Sequence, residues 1–221
     1  MTKDVRTGES REYRKSLLDD EIRGCSRCDD MNEEGVTQAA PGWGSLYSPV
    51  VIVGQSLCEQ CMKPQEPFYE GSGVLLDESL KLAGHAKAET FISNAVHCHP
   101  RGNRKSHDHE IVNCSPYLHR ELEIVRPRLV IGLGEDAKRV LEFFYPSARV
   151  SPWPFGTPRG RRSRAPYLLF APHPSWIKRQ HDGARERMWV TSIARALRWG
   201  FEDATPVGPT CTGIADINAL D

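Results

Sequence analysis

Asn94-Ala-Val-His-Cys98-His-Pro-Arg-Gly-Asn103-Arg104-Lys-Ser-His-Asp-His-Glu110-Ile-Val-Asn-Cys114 is the stretch on which the reading of this chain turns. An apolar run, Phe91-Ile92-Ser93, delivers Asn94 to the end of a predicted strand. A carboxamide at a strand's carboxyl end stands where α/β folds place ligand-reading groups. Two cysteines follow, bracketing a basic, His-rich loop, and an amphipathic helix begins near Asp108 or Glu110. Thiols placed in this way suggest a metal or cluster clamp if partners exist elsewhere. Cys25 and Cys28, a C-x-x-C, are such partners.

Outward from that stretch, strands alternate with helices. Val50–Gly54 reads as a buried strand ending at glycine, Phe91–Val96 as a second, Arg128–Gly134 as a third and Tyr167–Ala171 as a fourth. Between and around them lie an N-terminal helix within 1–24, with Tyr13, Leu17, Leu18 and Ile22 on one face, and Val74–Leu82, with Leu75, Leu76, Leu80 and Leu82 inward. Further helices are Ile111–Val125, Ala137–Phe144 and a last one carrying Met188, Trp189, Ile193, Ala196 and Leu197. Residues 55–73 and 146–166 read as loops. The pattern predicts a three-layer α/β/α domain around a central, mostly parallel four-stranded sheet, spanning 1–202, with 203–221 as a flexible tail. Gly132-Leu-Gly134 lacks the third glycine of a dinucleotide loop and argues little for nucleotide binding.

The 221 residues carry 29 basic and 29 acidic side chains, so there is no net charge to argue for a nucleic-acid partner. The distribution says more: Arg101, Arg104 and Lys105, together with Arg159, Arg161, Arg162 and Arg164, make two basic loops on a neutral chain. No apolar run is long enough for a membrane span, and the first residues lack the apolar stretch of a signal peptide. A cytoplasmic protein is the expectation, and there seven cysteines suit metal ligation or free thiols better than disulfides.

In order and spacing, these motifs resemble the iron–sulfur uracil-DNA glycosylases, family 4 of that superfamily, over roughly residues 20–200. Gly54-Gln-Ser-Leu-Cys58 is followed by Pro67-Phe68-Tyr69-Glu70-Gly71-Ser72-Gly73-Val74-Leu75-Leu76, similar to the family's Gly-Glu-Ala-Pro-Gly and its later Pro-Phe-x-Gly-x-Ala-Gly-x-Leu-Leu. Asn94, Cys98, Asn103-Arg104 and Glu110-Ile111 with Cys114 match its strand ending in Asn, its Cys-x-Pro-x-x-Asn-Arg and its Glu-Ile-x-x-Cys. Leu133-Gly134 with Ala137, and His173-Pro174-Ser175 with Arg179, complete the series.

The resemblance implies a DNA glycosylase that flips a pyrimidine into a closed pocket and leaves an abasic site. It implies a 4Fe–4S cluster on Cys25, Cys28, Cys98 and Cys114. A zinc site using Cys58 and Cys61 beside Cys25 and Cys28 remains the alternative on spacing. Phe68 would supply an aromatic face, with Gly54 and Tyr69 beside the base. Asn94 would read the base edge, since one carboxamide offers donor and acceptor. His173 would stabilise charge on the departing base. Ser175, Arg179, Arg101, Arg104, Lys105, Arg161 and Arg162 would hold phosphates, and Trp176 would wedge into the gap left by the base. DNA is the expected partner, and the protein is expected to act as a monomer.

Departures fall in the pocket. Gln55 stands where the family has a glutamate and cannot serve as a base; Leu57-Cys58 replaces Pro-Gly; Tyr69 and Glu70 replace small residues. Glu70 offers an acceptor for an exocyclic amine, as carboxylates do with cytosine N4, or a replacement general base. The altered pocket suggests a modified pyrimidine, such as the hypermodified cytosine of phage DNA attacked in host defence. A non-excising binder of modified or abasic DNA, and a zinc-bound interaction module, are the other readings.

Overall fold

The computed structural model describes residues 9–158 and 165–202. Arg159, Arg161, Arg162, Arg164 and the 203–221 tail lie outside them. The described chain runs α1 (Arg11–Arg23), β1 (Trp43–Gly44), β2 (Val50–Ser56), α2 (Glu59–Met62), α3 (Val74–Ala83), β3 (Phe91–Val96), α4 (Asp108–Val125), β4 (Leu129–Leu133), α5 (Glu135–Phe144), β5 (Val150–Ser151), β6 (Tyr167–Ala171), α6 (Pro174–Arg179) and α7 (Gly183–Phe201).

The sheet has the order β1-β3-β2-β4-β6-β5. The four longer strands are those expected, and all pair in parallel. The sheet is two strands wider than expected. Each added strand has two residues: β1 lies antiparallel to β3 and β5 parallel to β6. Two residues carry no readable period, so neither edge was visible in the sequence. Among the described residues, no helix is long and apolar enough to cross a membrane.

Alternation along the strands sends neighbours to opposite faces. Val51, Val53, Phe91, Ala95, Val130 and Leu168 face one core with α1, α4 and α5. Val50, Ile52, Ile92, Leu129, Ile131 and Leu169 face the other with α3, α6 and α7. This is the expected three-layer arrangement. The chain leaves β2 for β3 on one side and then crosses to β4 on the other, so strand order reverses at the β2–β4 junction. Ligands in such sheets bind in the crevice beyond that reversal.

Four apolar residues expected inward are exposed: Tyr13, Leu17, Leu82 and Met188. Leu82 lies two positions from buried Leu80, so it falls across the helix from it. Leu17 and Met188 sit one step, about 100°, from the buried Leu18 and Trp189 stripes.

Candidate active site

Three segments converge at the carboxyl end of the sheet. Ile92 and Asn94 lie on the same face of β3, so the pleat that buries Ile92 also turns Asn94 toward α3 and α6. Asn94 is buried, yet its carboxamide forms no hydrogen bond with the described residues. Gly54 stands beside it in β2. A Cβ on Gly54 would meet Asn94 Oδ1 at 2.3 Å and Phe68 Cζ at 2.8 Å. Gly54 therefore makes room for the side chains of Asn94 and Phe68.

Phe68 comes from a tight turn. Gln65, Phe68 and Glu70 all have positive φ, near 56°, and Glu70 has ψ −163°. The Glu70 conformation is one that non-glycine residues rarely adopt, at a cost of about 1–3 kcal/mol. Surrounding contacts hold it. Lys87 Nζ donates to the Phe68 carbonyl at 3.0 Å and pairs with Glu66 at 2.6 Å. A Cβ on Gly73 would strike the Phe68 carbonyl oxygen at 2.0 Å. The turn presents Phe68 and Glu70 to a cavity and leaves Tyr69 outward, 38% exposed. Tyr69, expected beside the base, is absent from the lining of this cavity.

The cavity has a volume of about 90 Å³ and is lined by Phe68, Glu70, Asn94 and His173, with Ser56, Cys58, Gln60, Cys61, Ser72 and Gly73. Sites for drug-sized ligands hold roughly 300–1,000 Å³, so this one suits a single small ring. Phe68 and His173 lie with ring centroids 5.8 Å apart, tilted by 32°. His173 caps α6: the Ser175 backbone N–H donates to its Nδ1 at 3.2 Å, and the Ser175 hydroxyl lies 2.8 Å from the same atom. Nδ1 is thus an acceptor, which leaves the ring proton on Nε2. Burial, and then the charge of Arg179, lower the pKa of His173 to about 4. A neutral imidazole with a fixed N–H borders the cavity at neutral pH.

Gln55 takes no part in this cavity. Being one residue from Gly54, it lies on the other face, where its Nε2 donates to Asp136 Oδ2 at 3.1 Å. Ser56, two residues from Gly54, returns to the cavity. Period-2 alternation in the sequence was the signal for Ser56 that the focus on Gln55 missed. Gln55 instead lines a second, open groove with Lys138, His173, Ser175, Trp176 and Arg179. That groove lies at the β2–β4 reversal and shares His173 with the cavity. Trp176 there is 42% exposed. Lys138 was not anticipated.

The other basic residues are differently placed. Arg104 makes a two-pronged pair with Glu110, at 2.5 and 3.0 Å, while Glu110 also accepts from the His107 backbone at 2.7 Å. Arg101 pairs with Glu33 at 2.8 Å. Lys105 is exposed. The Arg104 guanidinium, expected at a phosphate, is engaged here by the buried Glu110 carboxylate and remains partly exposed.

Cys25, Cys28, Cys98 and Cys114 are free and lie near one another. Burial pushes the Cys98 thiol up, and the neighbouring Cys114, Cys25 and Cys28 push it further. The Cys28 thiol is raised by burial, with Cys114 and Cys25 adding to it against a hydrogen bond from Asn113. Asn113, on α4, seats the N-terminal pair by donating to the Arg27 carbonyl at 2.9 Å and to Cys28 Sγ at 3.3 Å. Cys58 and Cys61 are joined in a disulfide and border the Phe68–Asn94–His173 cavity. That bond corrects the expectation of free or metal-bound thiols and removes the zinc alternative that used them. It forms because one short turn brings the two Cα atoms to 5.1 Å. Among the described residues, no three His, Cys, Asp or Glu side chains are set to share a single metal ion.

Beside the four thiols is a buried charge cluster that sequence reading did not find. Glu121 accepts from Ser93 Oγ at 2.5 Å and from the Gly42 backbone at 2.6 Å, and lies 3.2 Å from His97 Nε2 and 3.6 Å from Lys15 Nζ. Burial alone would favour neutral Glu121, but His97 and Lys15 outweigh it and hold its pKa at about 2. Burial likewise opposes charge on His97, but Glu121 and Cys114 raise it to about 10.

A family profile described as "Uracil DNA glycosylase superfamily" matches residues 41–197, well over half of the chain. The chain belongs to the uracil DNA glycosylase superfamily. Within it, a type-4 uracil-DNA glycosylase of Sulfurisphaera tokodaii is 31% identical over 125 residues, 56% of this chain and 56% of that protein. This chain thus spans little more than half the length of that relative. A type-4 enzyme of Thermotoga maritima is 28% identical over 192 residues, 85% of this chain and 95% of its own. A type-5 uracil-DNA glycosylase of Pyrobaculum aerophilum is 33% identical over 180 residues, 74% and 76% of the two chains. The stretch matched to the superfamily contains Gly54, Phe68, Asn94 and His173, and also Cys98 and Cys114; Cys25 and Cys28 precede it.

Proposed function

We propose that this protein is a DNA glycosylase that takes a flipped pyrimidine into the Phe68–Asn94–His173 cavity and hydrolyses its N-glycosidic bond, leaving an abasic site. The observation that carries the reading is the convergence of those three side chains on one ring-sized cavity, with hydrogen-bonding groups left unused. Phe68 gives the base a face and Asn94 reads its edge. As the bond from C1′ to the base nitrogen breaks, its electron pair moves onto the base. The Nε2–H of neutral His173 stabilises that charge at a carbonyl oxygen of the base without giving up its proton, as a preorganised donor does. Water adds its hydroxyl to C1′, and its proton ends on the released base. The groove of Ser175, Trp176, Arg179 and Lys138 would take the flanking strand and fill the gap in the stack.

The names of the relatives make uracil the first substrate to test. Glu70 at the cavity rim adds a carboxylate acceptor, which suits an amine-bearing pyrimidine and extends the reading to modified cytosines, with host defence against phage DNA as its setting. The same carboxylate is the one group among the cavity residues able to take a proton from water.

A 4Fe–4S cluster fits Cys25, Cys28, Cys98 and Cys114. All four donors are thiols, the set that favours iron–sulfur clusters. A cluster holds its thiolates on separate irons, further apart than the ligands of one ion. His97 Nδ1 is buried and has no partner other than the Cys114 sulfur, which as a metal-bound thiolate would accept from it. When bound, the cluster supplies four iron–thiolate bonds that tie the N-terminal segment to the end of β3 and to α4. DNA is the partner, and one chain carries the whole site.

Oligonucleotides containing uracil or modified cytosines, incubated with protein and then treated with alkali, test the reading. Strand cleavage with at least one substrate, lost on His173→Ala, is expected. Absence of alkali-labile product from every substrate would sink it. One feature favours a second reading: Gln55 replaces the carboxylate of the resembled family and is tied to Asp136. Tight binding of a modified duplex without any abasic product would establish that non-excising role.

A further inference from the structure

One wall of the cavity differs from the rest of the site. Cys58, Gln60 and Cys61, at the start of α2, line it, and it is closed by a disulfide between residues three apart. The sequence shows why a covalent bond matters here. The helix has four residues and its N-cap, Cys58, provides no side-chain cap. A helix so short does not hold itself in water. What remains to fix it is the burial of Cys61 and Met62 beside Leu57 and Ala40, two bonds from Gln65 to the Met62 and Ala39 carbonyls, and the cross-link. Across the cavity, Gln60 Oε1 comes within 3.0 Å of where a Cβ on Gly71 would stand, so α2 closes against the strained Glu70–Gly73 turn. Cys58 is the half-exposed partner and Cys61 the buried one.

We propose that the Cys58–Cys61 cross-link sets the width of the base cavity, and that reducing it admits pyrimidines carrying a substituent on the ring. This rests on the glycosylase reading of the same cavity. With the bond intact, both sulfurs are held together against a space of about 90 Å³, which suits an unsubstituted ring. Once it is cut, the two thiols take separate rotamers and the short helix loses its covalent pin. The reductant is a dithiol. One of its thiolates attacks the accessible sulfur of Cys58, forms a mixed disulfide and releases the Cys61 thiolate, which takes a proton. The second thiol of the reductant then displaces Cys58 and closes its own disulfide. Two electrons and two protons have moved from the dithiol to the protein.

The test uses the full chain, prepared without oxygen and with its metal content intact, in oxidised and dithiothreitol-reduced forms. Ligand-detected NMR measures affinity for free uracil and for a 5-substituted uracil. Reduction should shift the ratio of affinities toward the substituted base by about tenfold or more, the scale of one extra methylene in a tight pocket. The double variant Cys58→Ser/Cys61→Ser should sit at the reduced value and ignore dithiothreitol. An unchanged ratio, a double variant that still responds, or no binding of either base in either form would each overturn the proposal. Cutting of uracil DNA, run alongside, judges the glycosylase reading separately. Cutting with no redox shift removes the wall proposal alone, and a redox shift without cutting removes only the catalytic half of the glycosylase reading and keeps the base pocket on which the wall proposal depends.

Discussion

Ser93 and Asn94 are neighbours in β3, and they serve opposite ends of the molecule's chemistry. Ser93 donates to Glu121 in a buried cluster, where the carboxylate is also met by Lys15, His97 and a backbone amide. Asn94 faces a cavity where a carboxamide, a histidine N–H and an aromatic ring wait without protein partners. One face of the sheet uses its polar groups to hold the fold, and the other withholds them for a ligand. The difference teaches where to look for function: at buried polar groups that the fold itself leaves unused.

The contrast yields experiments of decreasing size. Glu121→Ala strands the charge of His97 in the interior, leaving Lys15 with Asp19 and the Gly42 carbonyl, and should cost about 3–5 kcal/mol of stability, read by urea unfolding. A loss below about 1 kcal/mol would mean that the cluster is not what secures that face. His173→Ala should reduce single-turnover excision by about 10²–10³-fold while the melting temperature holds. A matching fall in melting temperature would recast His173 as structural. The neighbouring pair sharpens the comparison further. Ser93→Ala should cost roughly 1 kcal/mol and leave base selection alone. Asn94→Ala should leave stability unchanged or slightly improved, because it removes an unpartnered buried amide, and should abolish discrimination between bases. Equal effects of the two on stability would erase the distinction between the faces.

A further effect is one of pH. The unfolded chain takes up the His173 proton near pH 6.5 and the folded chain only near 4. Stability therefore falls as the pH drops through that window, and His173→Ala should flatten that slope. For the same reason excision should hold level through neutral pH and fail only as pH approaches 4. Arg179→Ala should move that midpoint upward, since the guanidinium helps keep His173 neutral. A midpoint near 6.5 in the unaltered protein would show that the imidazole is not shielded as described.

Much of this was legible in the chain. The apolar runs gave the four long strands, and the residues at their ends, Asn94 and His173, were found because strand ends are where such sheets hold their sites. The period of two was also there to be used: it puts Gln55 on the α5 face and Ser56 in the cavity. What escaped was whatever depends on contacts distant in sequence. Glu121 looks like one more charge on an amphipathic helix until folding sets it between Lys15 and His97, 106 residues below it and 24 below it in number. Arg104 looks like a phosphate reader until Glu110 claims it. The Cys58–Cys61 bond was hidden because a C-x-x-C has several chemistries, and which one it follows is decided by its neighbours.

The pleat of β3 has a consequence for how such a protein can change over generations. A single codon gained or lost within that strand would turn every following side chain through to the opposite layer, driving Asn94 into the ion-pair cluster and Ser93 into the cavity. The loops around this pocket can lengthen and many of its side chains can be exchanged, Gly54 and Gly73 excepted, but a shift by one residue in the strand beneath it would reverse its two faces.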